Sequence, residues 1–97
     1  MAFYPLAGRK TVTTAGTPVP LSAVTGTVQR LFVRAIPSNT KNVAVGQTGG
    51  VSAQSGSEAG LLLAPTDAPQ ELGAVIPSAL YVDAAVSGEG VAFLILQ

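Results

Sequence analysis

The sequence predicts an all-β fold, a single domain built as a sandwich or small barrel of short antiparallel strands. Three observations carry that expectation. Turn-forming residues recur roughly every eight to twelve positions, apolar and polar residues alternate between them, and helical periodicity is nowhere sustained. Charged residues make up 10% of the 97 positions, against roughly 25% in an average soluble domain, so a surface made mainly of Lys and Glu is not available. A chain of this length makes one domain, residues 1–97, and buries only about 60–65% of the surface its unfolded form exposes. With no Cys and no His, neither disulfides nor zinc can compensate for a modest core. Association with other subunits is the remaining means.

Residues 1–10 read as an N-terminal arm. Phe3, Tyr4 and Leu6 supply apolar anchors that could seat in a neighbour's groove or on the arm's own subunit, and the basic pair Arg9-Lys10 follows them. Positions 10–15 alternate Thr and Val as a first short strand, which Gly16, Pro18 and Pro20 end. Segment 28–36 is the longest strand. Leu31, Val33 and Ala35 point one way; Arg30, Phe32 and Arg34 point the other. Two registers remain open, because a slip of one residue exchanges the faces. In the first, Phe32 lies outside between two guanidinium groups as an interface anchor; in the second, Phe32 is core and Leu31 and Val33 lie outside.

Pro37-Ser38-Asn39-Thr40 forms a turn into a strand at 42–46, and the two strands read as an antiparallel hairpin. Segment 47–60 shifts to Gly, Ser, Thr and Gln with a single charge at Glu58, the profile of a flexible surface loop. Short strands follow at 61–64, 71–76 and 80–84, the first two closed by Pro65 and Pro77. Ser87-Gly88-Glu89-Gly90 then makes a tight hairpin connection into 91–96. This last strand is apolar on both faces, with Val91, Phe93 and Ile95 on one and Ala92, Leu94 and Leu96 on the other, so both faces need cover. A loop of the same chain or another subunit could supply it, and Phe93 and Ile95 are taken as interface candidates.

The succession Val33-Arg34-Ala35, Asn39-Thr40, Val43-Ala44-Val45-Gly46, a Gly/Ser loop, Gly60-Leu61 to Leu63-Ala64-Pro65, Leu80-Tyr81-Val82-Asp83-Ala84 and Gly88-Glu89-Gly90-Val91 resembles small β-structured virion proteins of tailed bacteriophages. Head decoration (cement) proteins and other capsid or tail accessory components are among them. The resemblance covers roughly residues 28–96 as a pattern of strands and turns. It implies a jelly-roll-like β-sandwich that associates with itself, a trimer being favoured, and binds the major capsid protein on the outside of the particle. It also implies synthesis in the cytoplasm of a bacterial host. A tail, baseplate or host-recognition role is the alternative, with segment 47–60 as the reading tip.

Chemical alternatives find little material. Ser38-Asn39-Thr40-Lys41 matches Ser-x-x-Lys, whose chemistry needs the Ser at a helix start, and here it sits in a turn. The five carboxylates are scattered, and the glycines at 46–50 lack the Lys-Ser/Thr and helix of a phosphate cradle. No Asp-rich calcium loop, basic stripe or cofactor motif is present. The longest uncharged stretch, 11–29, holds six Thr, two Pro and two Gly and is no membrane helix, and residues 1–5 lack the features of a signal peptide. The expectation is a non-enzymatic structural protein with no metal, cofactor, small-molecule substrate, nucleic-acid or membrane partner.

Overall fold

A computed structural model of the chain describes residues 5–47 and 49–96. Phe3 and Tyr4 of the expected arm lie outside the described residues. Eight strands form two four-stranded antiparallel sheets. In chain order they are β1 (Pro5–Thr11), β2 (Val19–Pro20), β3 (Arg30–Ala35), β4 (Val43–Gly46), β5 (Leu61–Leu63), β6 (Gln70–Leu72), β7 (Tyr81–Ala84) and β8 (Gly90–Leu96), with a 3-10 turn at Pro77–Ala79. One sheet runs β1-β8-β3-β6 and the other β2-β7-β4-β5. Two interlocked Greek keys produce this order, so the sandwich is a jelly roll.

The expected all-β class is therefore observed, but two connections differ from expectation. β3 and β4 were expected to pair as a hairpin; instead they lie in opposite sheets, and so do β7 and β8. A turn signal reports that the chain reverses direction. It does not report whether the next strand pairs edge to edge or crosses to the facing sheet, since either leaves one face turned inward. Among the described residues, the only consecutive strands that pair are β4 and β5, across the segment expected to be a loop. Residues 5–11 are not a free arm either: they pair with β8 along their full length, from Pro5 opposite Leu96 to Thr11 opposite Gly90.

The core fills the space between the sheets. Leu31, Val33, Ala35, Val91 and Ile95 of the first sheet meet Val43, Val45, Leu63, Val82 and Ala84 of the second, while Val12, Leu21, Val28 and Leu80 seal the ends. β-branched side chains dominate because they pack well on pleated surfaces. The inward set settles the register of β3, leaving Arg30, Phe32 and Arg34 on the outer face. Across the β1–β8 pair, the ring of Phe93 lies over Gly8, where a Cβ would stand 2.8 Å from the ring.

Among the described residues two polar side chains are buried, and each ties elements together. Asn39 donates from Nδ2 to the Gly90 carbonyl at 2.7 Å and accepts from the Gly90 N–H, fixing the turn after β3 to the start of β8. Asp83 on β7, fully buried, accepts at Oδ1 from Gly16 N–H and at Oδ2 from Ala53 N–H, both at 2.8 Å, and from Gln54 Nε2 at 3.1 Å. Asp83 thus holds segment 49–60 over the outer face of the second sheet. Val51 and Ala53 are buried there, and Ser52 and Ala59 exchange two backbone hydrogen bonds. The segment expected as a flexible loop, 47–60, is thus anchored by a buried carboxylate on a distant strand at Ala53 and Gln54, while residues 55–60 lie exposed.

Glu89 does similar work at the rim, accepting from Thr40 N–H, Thr40 Oγ1 and Lys41 N–H. Burial pushes its carboxyl up, but the Thr40 hydroxyl and the two backbone donors outweigh that and hold it below its ordinary value of 4.5. The unfolded chain therefore takes up this proton at a higher pH than the folded one. The stabilisation is complete above the unfolded value and is lost as pH falls through the folded one. Melting temperatures measured between about pH 6 and about pH 3 are expected to fall less for Glu89→Gln than for the wild type. Parallel curves would remove Glu89 from the acid response.

Candidate functional site

The outer face of the β1-β8-β3-β6 sheet concentrates the unusual surface chemistry. Residues directly opposite one another in antiparallel strands share a face, so the register reads out its rows. One row is Ala7, Leu94, Phe32 and Glu71, running across β1, β8, β3 and β6. The next is Arg9, Ala92 and Arg34. A third pairs Leu96 with Arg30. All three arginines of the chain stand on this face, beside an apolar strip formed by Leu94, Phe32 and Ala92. A shallow depression of about 400 Å³ lies over Phe32, Arg34, Ala92 and Leu94, with Pro69 at its rim.

The arginines are not equivalent. Arg30 makes a bidentate pair with Glu71, at 2.9 and 3.0 Å, and its guanidinium carbon stands 5.7 Å from the centre of the Phe32 ring. The hydrogen bond and the charge of Glu71 raise its pKa. Both partners are about half exposed, so the pair contributes little to stability. Arg9 and Arg34 form no ion pair among the described residues. Arg34 Nε is covered and has no hydrogen-bond partner, so folding alone leaves this guanidinium one bond short.

Of the residues singled out from sequence, Arg30, Phe32 and Arg34 come together on this face. Leu6 is 43% exposed, in the inward-facing row opposite Ile95 but on the edge strand. Phe93 and Ile95 are corrected: Ile95 is fully buried in the core and Phe93 packs against it, because the parity of β8 turns them inward. Besides the partly buried Phe93, the half-exposed residues of β8 are Ala92, Leu94 and Leu96, which form its outward row. Arg9, read as part of an arm, joins Arg34 only through β8, which lies between β1 and β3. No spacing in the sequence announces that pairing. Among the described residues, no three acidic side chains group as a metal site.

No protein-family model, curated protein or solved structure matches the chain. Fold and face together define a small jelly-roll domain with one sheet open to solvent on an apolar, arginine-flanked surface.

Proposed function

We propose that the protein is a non-enzymatic structural component of a tailed-bacteriophage particle, a decoration or cement protein that binds the outside of the major capsid protein lattice and stabilises it. The observation that carries this reading is the open outer face of the β1-β8-β3-β6 sheet, where Phe32, Leu94 and Ala92 sit between arginines. Aromatic and arginine side chains are the usual anchors of protein interfaces. The jelly roll recurs in viral capsid proteins, a fold-level analogy that agrees with the sequence resemblance. A zero net charge gives no attraction to packaged DNA and favours the outer surface.

The mechanism is additive. A shell under internal pressure fails where subunits separate, and a domain bridging such a seam adds contact area there. Many copies make weak individual contacts effective. Self-association, with three subunits favoured, has other apolar surface to use: Leu61, Leu62 and Ile76 are also exposed. The alternative is a tail, baseplate or host-recognition role, which would use the exposed residues 55–60 beyond the anchored Ala53 and Gln54.

Gel densitometry of purified particles tests the reading. Hundreds of copies per particle, together with particles that rupture at lower temperature when the protein is removed, are expected. A handful of copies, or equal robustness without it, would sink the cement role.

A further inference from the structure

We infer that the arginine face captures an extended, acidic segment of a partner protein in which an apolar side chain and a carboxylate stand two residues apart. This rests on the docking role proposed above and specifies the chemistry of the partner.

The geometry points to that spacing. Arg9 and Arg34 flank Ala92 on the two neighbouring strands, so their Cα atoms stand about 10 Å apart, twice the interstrand distance. The short Ala92 side chain leaves a floor between two guanidinium groups, wide enough for one carboxylate to receive donors from both sides. The adjoining row, two residues along β8, presents Leu94 and Phe32. Its separation from the Arg9-Ala92-Arg34 row is about 6.6 Å, the distance between alternate side chains of an extended chain. A strand-like segment laid along β8 therefore sets an apolar residue on Leu94 and Phe32 while its carboxylate reaches the arginines.

Charge complementarity separates a foreign partner from a second copy. Asp83 is buried, Glu71 is held by Arg30, and Glu89 accepts from Thr40 and Lys41. Asp67 and Glu58 accept from N–H groups of their own loops. At two residues' distance, Glu58 has Gly56 and Gly60 and Asp67 has Pro65 and Pro69, so neither offers a large apolar side chain at the required spacing. The chain does not carry its own ligand. Its zero net charge conceals an imbalance, with acids committed internally and two arginines left for someone else.

The test uses the full-length, ¹⁵N-labelled protein and the peptide acetyl-Gly-Ser-Leu-Thr-Asp-Ser-Gly-amide. Amide shifts are expected around Phe32, Arg34, Ala92 and Leu94. Its Asn-for-Asp twin should bind about tenfold more weakly. Arg34→Gln should abolish the difference between the two peptides, and Arg30→Gln should preserve it; a merely structural effect would weaken both peptides alike. Equal binding of the two peptides, shifts mapping elsewhere, preferred binding of an oligothymidylate at this face, or self-association through it would each overturn the inference. Co-sedimentation with capsids is measured separately: undiminished capsid binding by Arg34→Gln would overturn the partner chemistry and leave the cement role standing, whereas no capsid binding by the wild type would remove the role itself.

Discussion

Replacing Asp83 with Ala is expected to lower the melting temperature by about 10–20 °C, from a loss of about 3 kcal/mol in a domain of this size. The carboxylate serves donors from two separate segments, Gly16 in the connection after β1 and Ala53 with Gln54 in the segment between β4 and β5. Removing it leaves the Gly16 and Ala53 N–H groups without their acceptor. Gln54 keeps its bond to the Ala84 carbonyl, at 2.9 Å, and so retains part of its hold. The damage should therefore be uneven. Hydrogen exchange is expected to quicken most at 51–59 while β3 and β8 stay protected. Asp83→Asn should fall between wild type and Ala, since an amide offers one acceptor oxygen and turns donors toward donors. A melting shift of only a few degrees for Asp83→Ala, or uniform exchange across both sheets, would show that the segment is held by its apolar contacts alone.

Gly90→Ala is expected to be at least as damaging, at about 3 kcal/mol or above, a large fraction of the total stability of a marginally stable domain. A Cβ at this position would run into the Lys10 carbonyl oxygen and stand 2.7 Å from the Thr11 Cα. Both obstacles are backbone, so no rotamer change relieves them. To make room, β1 would have to move off β8 where Thr11 pairs with Gly90, and the Asn39 clamp on Gly90 would be pulled with it. Far-ultraviolet circular dichroism and a urea titration would measure the loss. Gly26→Ala, where nothing lies within 4 Å of the added methyl, serves as the comparison and should unfold near the wild-type midpoint. Equal midpoints for the two variants would mean that β1 and β8 can separate there at little cost.

The contrast between these two sites says what was legible from sequence. Period-two alternation located β3, β4 and β7 to within one or two residues, because each turns one apolar row inward and that pattern is local, and the continuous apolar run at 91–96 located β8. β2 was missed: two residues, Val19–Pro20, are too short to alternate, and they belong to the sheet only through β7. Asp83 lies in the segment 80–84 read as a short strand, on the face opposite the core-facing Val82. Nothing local revealed that its outward side would be roofed by residues about thirty positions earlier. The docking face was half legible. Arg30, Phe32 and Arg34 lie on one strand and could be read together, whereas Arg9 reaches them only because the last strand inserts between β1 and β3. Phe93 and Ile95 were expected at an interface because both faces of β8 are apolar, yet Ala92 and Leu94 form the outward row.

The insertion of β8 also bears on how the molecule comes to exist. It is the last of the eight described strands and a central strand of its sheet, paired with β1 on one side and β3 on the other. Until it emerges from the ribosome, β1 and β3 have no shared neighbour, and β3 carries an open edge. Closing the sheet then requires contacts that span nearly the whole sequence, the topology associated with slow folding. The nascent chain waits with unpaired strands and apolar rows exposed, which makes delay and crowding during synthesis, rather than the finished structure, its point of greatest vulnerability.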